Sequence, residues 1–256
     1  MAPFTVTFLG TGTSQGVPVI ACTCEVCSSL DFRDRRLRTS VHIQTADVSL
    51  VVDTGPDFRQ QMLREGIDHL DAVLFTHSHK DHTAGLDDVR AYNFKQQMDM
   101  PVYGALPLLG QLKKDYYYAF EPQKYPGIPQ LALTEIHEDP FSVRGVTVQP
   151  LPVRHMQMPV LGFRIGNFSY ITDANQIPDT TVQLLQGTDV LVLNALQREK
   201  HVSHFNLEEA IAMAKTINAP RTFFTHISHK LGKHRDVSRE LPEGIQLAYD
   251  GLRIAV

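Results

Sequence analysis

The chain has 256 residues, of which 43% are hydrophobic and 20% are charged, and its formal net charge at pH 7 is −4. This composition supports a large buried core in one large domain or two small ones, and it gives no general attraction to nucleic acid. No stretch approaches the roughly 20 apolar residues of a membrane span, and the N-terminus lacks the features of a signal peptide. We expect a cytoplasmic protein, because the three cysteines cannot all pair with one another.

A strand over residues 4–9 leads into a glycine-rich loop over residues 10–18. The loop lets backbone approach a ligand, but it lacks the Gly-Lys-Ser/Thr ending of a P-loop. Cys22, Cys24 and Cys27 follow within six residues. This clustering predicts a structural zinc site, and such a closed site needs a fourth ligand from elsewhere in the chain.

A basic run comes next, at Arg33, Arg35, Arg36 and Arg38. A solvated surface is its default interpretation, and contact with a substrate phosphate or nucleic acid is the alternative. Residues 41–44 and 49–52 predict a hairpin, and residues 57–64 a helix between Pro56 and Gly66.

Asp53 follows the second strand of this hairpin. Two interpretations of it stay open. It is either a carboxylate that orients a metal-bound imidazole or a turn residue.

The apolar strand over residues 71–75 is followed by His77, His79, Asp81 and His82. His77 and His79 project to the same side of extended backbone, whereas Asp81 and His82 are adjacent where the chain turns into a helix. Neutral imidazole is the commonest protein ligand of divalent transition metals. We therefore predict a two-metal site with one pair of ligands for each ion.

Residues 86–97 predict a helix that carries Arg90 and Asn93 on one face, directed either to substrate phosphate or to solvent. Residues 106–130 combine a helical pattern with Tyr116–Tyr118 and three prolines. We interpret this segment as a cap over the site, in which the tyrosines either stack on substrate or pack.

The second half repeats a pattern of the first, although the similarity is weak. In both halves a strand ends in Asp (Asp53 and Asp173), and an apolar strand that begins with Asp (71–75 and 189–193) then leads towards histidines. Residues 141–143 and 146–148 predict a hairpin, as do 162–165 and 168–171, and residues 189–193 predict an apolar strand. Asn206 and Glu209 predict a capping box for a helix over residues 207–217. A strand at 221–224 leads to His226 and His229, and a closing hairpin is expected from 246–249 and 252–255. No role is assigned to His201, and His234 is placed in a surface loop.

The order His77-x-His79-x-Asp81-His82 resembles the signature of the metallo-β-lactamase fold hydrolases. The resemblance implies an α/β fold (α+β by some schemes), a four-layer αββα metallo-β-lactamase-like sandwich. We expect one such domain over residues 1–256, with a Cys-rich N-terminal loop and the cap at about 106–130.

The resemblance becomes narrower with Cys22-x-Cys24-x-x-Cys27 and His226-x-x-His229, which are similar to the phosphoribosyl 1,2-cyclic phosphate phosphodiesterase family. It implies one active-site metal held by His77, His79, His155 and Asp173, and a second held by Asp81, His82, Asp173 and His226. It also implies a structural zinc held by Cys22, Cys24, Cys27 and His229. The active-site ions would be Zn²⁺ or Mn²⁺, between which the sequence does not choose.

His204, in a segment that resembles the family's catalytic histidine region, would protonate the leaving oxygen, and Asp81 would also be catalytic. The expected function is hydrolysis of a small phosphodiester, such as a phosphoribosyl cyclic phosphate or cyclic nucleotide, by a metal-activated hydroxide. The alternatives are an RNA 3′-processing endonuclease, a thioester or lactone hydrolase, and a non-catalytic accessory protein of cofactor biosynthesis. We expect no membrane partner, RNA is the less favoured substrate, and a homodimer is left open.

Overall fold

The strands form two sheets, and helices lie on the outer face of each. The computed structural model describes residues 3–122 and 126–256. The elements of the first half are β1 (Thr5–Gly10), β2 (Ser40–Gln44), β3 (Ser49–Val52), α1 (Phe58–Glu65), β4 (Ala72–Leu74), α2 (Lys80–Thr83), α3 (Arg90–Gln96), β5 (Met100–Gly104), α4 (Leu106–Asp115) and β6 (Leu131–Glu135). Those of the second half are β7 (Phe141–Val143), β8 (Val146–His155), β9 (Met158–Ile165), β10 (Phe168–Tyr170), α5 (Asp179–Leu184), β11 (Val190–Asn194), α6 (Leu207–Ile217), β12 (Arg221–Thr225), α7 (His234–Ser238), β13 (Ile245–Leu247) and β14 (Arg253–Ala255).

Each sheet has seven strands, in the orders β14-β1-β2-β3-β4-β5-β6 and β13-β12-β11-β10-β9-β8-β7. The predicted hairpins are confirmed as the antiparallel pairs β2–β3, β7–β8 and β9–β10. Strands β3 to β6 run parallel, and so do β10 to β13. Parallel strands end at the same edge of a sheet, which is where open α/β sheets bind ligands.

The alternation of side chains along the strands produces the four layers. In β3, Leu50 and Val52 point into the core between the two sheets, whereas Val51 points outward to the helices of the first half. In β11, Val192 faces the central core and Leu193 faces the helices of the second half. The αββα sandwich implied by the resemblance is therefore confirmed.

The two halves do share a structural unit. β3, α1 and β4 form one parallel unit, and β10, α5 and β11 form the other. Asp53 follows β3 with a φ of 65°, and Asp173 follows β10 with a φ of 54°. Left-handed backbone is uncommon outside glycine and is concentrated at functional sites. Both carboxylates thus lie at equivalent strand ends.

The expected closing hairpin is wrong. β13 pairs in parallel with β12, whereas β14 pairs antiparallel with β1, so the two strands belong to different sheets. Backbone hydrogen bonds to both sheets fix the segment that links β13 to β14. The amide of Ala248 donates to Phe224 O, and the amide of Phe8 donates to Leu252 O. The chain crosses between the sheets here because each strand extends an exposed sheet edge.

The segment predicted as a cap contains a helix of the outer layer. Leu108, Leu109 and Leu112 of α4 are buried against the first sheet, so most of this helix belongs to the outer layer and only its start, at Leu106 and Pro107, borders the site. Residues 123–125 of the predicted cap lie outside the described part of the chain. The helix expected over residues 86–97 begins as a 3-10 turn at Leu86–Val89 and continues as α3.

Candidate active site

The ends of four strands converge on one cluster of imidazoles and carboxylates. β4 leads to His77, β8 ends in His155, β10 leads to Asp173 and β12 leads to His226. His226 has a φ of 55°, so it resembles Asp53 and Asp173 in leaving its strand in a left-handed turn. Three groups of close ligand atoms result: Asp81, His82, Asp173 and His226; His77, His79 and Asp173; and His155, Asp173 and His204.

Asp173 lies at the centre of the cluster. Its Oδ2 atom is 3.5 Å from Nε2 of His77, 3.4 Å from Nε2 of His82 and 3.3 Å from Nε2 of His204. Its Oδ1 atom is 3.1 Å from Nε2 of His226. Burial alone would raise the pKa of Asp173, but the imidazoles of His226 and His82 hold this pKa well below its usual value. The carboxylate is therefore ionised and able to bridge two cations.

Hydrogen bonds fix the orientation of the cluster imidazoles. His77 Nδ1 donates to Thr76 Oγ1 at 2.9 Å, because that hydroxyl itself donates to Asp53 Oδ2. His155 Nδ1 donates to the carbonyl of Ser203 at 2.6 Å. In both rings Nε2 is left with a free lone pair, which is the arrangement of a metal-binding histidine. Burial also lowers the pKa of His77 and of His155, which favours the neutral ring.

Asp53 plays the orienting role for His82. The Nδ1 atom of His82 donates to Asp53 Oδ2 at 2.7 Å, and both side chains are buried. Gly55 allows the chain after Asp53 to lie close to the backbone that carries Asp81 and His82, since a Cβ atom at Gly55 would lie 2.1 Å from the carbonyl oxygen of Asp81. Of the two interpretations of Asp53, the geometry favours the carboxylate that orients a ligand.

Replacing Asp53 with Asn is expected to lower metal affinity and hydrolytic rate by about 10- to 100-fold, the usual cost of losing an orienting partner. Metal titration and steady-state kinetics would measure both effects. Asn175→Ala is a control, since Asn175 is only partly buried and its side chain bonds to the backbone at Met156 and Val202. Unchanged metal affinity in Asp53→Asn would contradict the orienting role.

The residues present fit divalent metal ions. His77 Nε2, His82 Nε2 and both ring nitrogens of His226 are buried and have no hydrogen-bond partner among the residues that the structure describes. A buried polar atom without a partner costs about 1–3 kcal/mol. Such atoms around an ionised carboxylate are satisfied together by cations. The four residues expected at the second metal form one group within 4.8 Å, and those expected at the first are divided between two groups that share Asp173.

His204 lies beside the metal cluster and is oriented by Ser203. Ser203 Oγ is 2.9 Å from His204 Nδ1 and 3.1 Å from Nδ1 of His201, which is exposed. Burial lowers the pKa of His204 to about 4. Sequence reasoning missed Ser203 and Thr76, for which the only signal is their position directly before a functional histidine.

The three cysteines surround one histidine from the other end of the chain. Nδ1 of His229 is 3.3 Å from Sγ of Cys22 and 3.4 Å from Sγ of both Cys24 and Cys27. A hydrogen bond from the amide of Cys27 lowers the pKa of Cys24 to about 6 and favours the thiolate that binds metal. The structure thus brings together the four residues expected to hold a structural zinc, which we call the Cys3His clip.

The glycine-rich loop also supports the second half of the site. Thr13 donates its amide to the carbonyl of Ile227, and the amide of Ile227 donates to Thr11 O. Gly12 allows the close packing, since a Cβ atom there would lie 2.9 Å from the carbonyl oxygen of Arg36. The loop therefore approaches the chain next to His226, and its backbone holds protein rather than the expected ligand.

One arginine of the basic run is buried, whereas Arg35 is exposed and Arg33 and Arg38 are partly exposed. Arg36 is 4% exposed, and its guanidinium donates to Thr11 Oγ1 and the carbonyl of Ala248 and contacts Nδ1 of His234. Arg33 pairs with Asp31, and Arg38 with Asp57. The expected surface position of His234 is wrong, because Asp34 accepts from its amide and the residue is buried.

Asn93 and Arg90 are not brought to the cluster by any described contact. The side-chain amide of Asn93 donates to the carbonyls of Met98 and Gln130, which corrects the expectation of a substrate contact. Arg90 pairs with Asp87. Tyr116 is buried and donates to Thr83 O, so it packs under the site-bearing helix rather than stacking on substrate.

Comparisons with known proteins agree with this fold. The model of the beta-lactamase superfamily domain matches residues 49–227. An octanoyltransferase of Porphyromonas gingivalis is 40% identical over 251 residues, which are 97% of this chain and 51% of that protein, so the chain spans about half the length of this relative. A ribonuclease Z of Mycobacterium sp. (strain KMS) is 26% identical over 261 residues, covering 87% of this chain and 91% of the relative.

Among solved structures, a new diphosphatase from the PhnP family superimposes with a TM-score of 0.94 and 41% sequence identity, covering 99% of this chain and 97% of that one. Within residues 3–122 and 126–256, no helix is long and apolar enough to cross a membrane. The family resemblance found in the motifs is confirmed. The chain therefore belongs to the beta-lactamase superfamily and, within it, to the PhnP family.

Proposed function

We propose that the protein hydrolyses a small phosphodiester, with a small cyclic phosphodiester as the first choice. The observation that carries the proposal is the position of Asp173, whose carboxylate lies within 3.5 Å of four imidazole Nε2 atoms. Three of these belong to expected metal ligands, and the fourth belongs to His204. A site with paired cations and an adjacent N–H donor suits displacement at phosphorus.

The residues have distinct roles in this proposal. His77, His79, His155 and Asp173 would hold one divalent ion, and Asp81, His82, Asp173 and His226 the other. When bound, the ions supply Lewis acidity towards phosphate oxygens and a more acidic water. Asp53 and Thr76 keep the ligand rings in position, because both bind the Nδ1 side of a ring whose Nε2 faces the cluster.

His204 presents a proton to the departing oxygen. Ser203 Oγ lies closer to Nδ1 of His204 than to Nδ1 of His201, so we assign its hydroxyl proton to His204. The remaining ring proton is then on Nε2, which faces Asp173 at 3.3 Å. A substrate oxygen placed beside Asp173 would accept a hydrogen bond from this N–H, and it would be protonated from the imidazolium form of the ring, which the charge of Asp173 favours and which returns to neutral imidazole.

A diphosphate bond is the second candidate substrate, favoured by the 41% identical diphosphatase. Its cleavage also displaces an oxygen from phosphorus, so the same residues serve. RNA is less favoured, because Arg33, Arg36 and Arg38 are engaged by protein atoms. Octanoyl transfer is not proposed, since that name belongs to a relative about twice as long and the three cysteines here surround His229.

The test compares metal-loaded protein on a 2′,3′-cyclic nucleotide, a dialkyl diphosphate, a short RNA and an acyl thioester. We expect turnover of the cyclic ester, of the diphosphate or of both, but not of the thioester. Turnover of the thioester or RNA alone would contradict the proposal.

His204→Ala is expected to slow release of a poor leaving group by about 10²- to 10⁴-fold, the range for a positioned proton donor. The same variant should lose much less on a p-nitrophenyl ester, whose phenolate leaves without a proton. The readout is kcat on both substrates, and His201→Ala is the matched control because His201 is exposed and contacts Ser203. Equal losses on both substrates would exclude proton donation by His204.

A further inference from the structure

A groove opens at one end of the metal cluster, beside His77. Its inner end is formed by Thr76, His77 and Ser78, and its cavity volume is about 350 Å³. One wall is the start of α4, and the other is formed by the segment after β6 together with the start of β9. This volume lies within the range of small-molecule sites. A molecule bound at the cluster can therefore extend into the groove.

The walls are mainly apolar where they are open to solvent. Leu106 is 61% exposed, and Pro107, Met158 and Pro159 line the groove with it. An exposed leucine beside a hydrophobic wall is a surface that gains from being covered by an apolar ligand group.

The charges of the groove have one sign. Glu135 and Glu138 line it, and His137 lies 3.5 Å from Glu135. Among the described residues, no Lys or Arg lines this groove. A second phosphate or carboxylate would therefore meet acidic side chains without a compensating cation, whereas an uncharged group would not.

The groove also distinguishes the two ester groups of a phosphodiester. His204 does not line it, although His77 does. The departing ester group, whose oxygen is protonated by His204, therefore lies outside the groove. The ester group in the groove is the one that stays bonded to phosphorus after hydrolysis.

We propose that this groove binds an uncharged, apolar ester group of the substrate, and that Leu106 and Met158 determine this specificity. The inference rests on the proposed phosphodiester hydrolysis. Within that proposal it concerns open-chain diesters, because the two ester oxygens of a cyclic diester belong to one group. It defines their retained group as apolar and without a further anion.

The test uses three p-nitrophenyl phosphodiesters that share the leaving group and carry a methyl, a hexyl or a carboxymethyl group. Each fully buried methylene is worth about fourfold in affinity. We expect kcat/KM for the hexyl ester to exceed that for the methyl ester by at least about tenfold, and the carboxymethyl ester to be no better than the methyl ester. The double variant Leu106→Ser, Met158→Ser should reduce the hexyl-to-methyl ratio to below about threefold, whereas Leu184→Ser, an exposed leucine on α5, should leave it unchanged.

Binding of non-hydrolysable hexylphosphonate and methylphosphonate, measured by calorimetry, separates the two proposals. If no ester is hydrolysed, the proposed function fails, and the groove proposal is still decided by this affinity ratio. A ratio of about ten or more that the double variant abolishes supports the groove. Equal affinities for the two phosphonates, or a ratio unaffected by the double variant, would overturn it.

Discussion

Asp173→Asn is expected to lower both the affinity for active-site metal and the rate of hydrolysis. Each loss should exceed the about 10- to 100-fold that is typical when an orienting residue is replaced. The carboxylate is ionised and is approached by four imidazoles, so an amide in its place removes the negative charge that two cations would share. The amide also offers one oxygen where the carboxylate offers two. Both metal positions should therefore be weakened together.

Metal analysis after dialysis and kcat/KM on a p-nitrophenyl phosphodiester measure the effect of Asp173→Asn. Asp189→Asn is the matched control, because Asp189 is exposed and its side chain binds Asn167. Asn167 precedes β10, whereas Asp173 follows the opposite end of that strand. Full metal content with nearly unchanged kinetics in Asp173→Asn would show that Asp173 is not the shared ligand. Circular dichroism identifies any loss that is caused by misfolding.

His229→Ala is expected to remove one zinc equivalent and lower the unfolding temperature by several degrees. A change of 1 kcal/mol corresponds to about 2–4 °C in a domain of this size. The Cys3His clip joins the N-terminal loop to the segment that follows β12, and His229 lies three residues after the expected ligand His226. Loss of the clip should therefore also lower kcat, because His226 is less firmly placed.

Zinc content and thermal unfolding are the readouts for the clip, with Lys230→Ala as an exposed neighbouring control. Adding Cys27→Ser to His229→Ala should cause little further loss of zinc, since both changes remove the same ion. A further full equivalent lost in the double variant would show that the cysteines and His229 do not share a metal. Unchanged zinc content in His229→Ala would contradict the clip directly.

Local patterns predicted much of the fold. The capping box of α6 is present, with Asn206 and Glu209 each bonding the other's backbone. The hairpins followed from alternating strands and short turns, both of which depend on residues near in sequence. Likewise, His77, His79, Asp81 and His82 lie within six positions, so their proximity needed only a strand and a turn.

Features that depend on distant contacts could not be predicted in the same way. β13 and β14 are three residues each, and their partners are set by which sheet edge is open rather than by their own sequence. Arg36 is buried because Thr11 and the Ala248 carbonyl accept from it across 25 and 212 residues of sequence. The place of α4 in the outer layer depends on the burial of Leu108, Leu109 and Leu112 against the first sheet, which the tyrosines and prolines that follow in sequence do not indicate.

The central claim is that the cluster around Asp173 holds two divalent ions that act together in hydrolysis. It is tested most directly by stripping the protein of all metal and restoring zinc or manganese stepwise, while metal content and phosphodiester turnover are measured on the same samples. With the Cys3His clip filled first, we expect activity to rise until two further equivalents are bound and then to level off. Full activity with one further equivalent, or turnover that is independent of added metal, would contradict the claim.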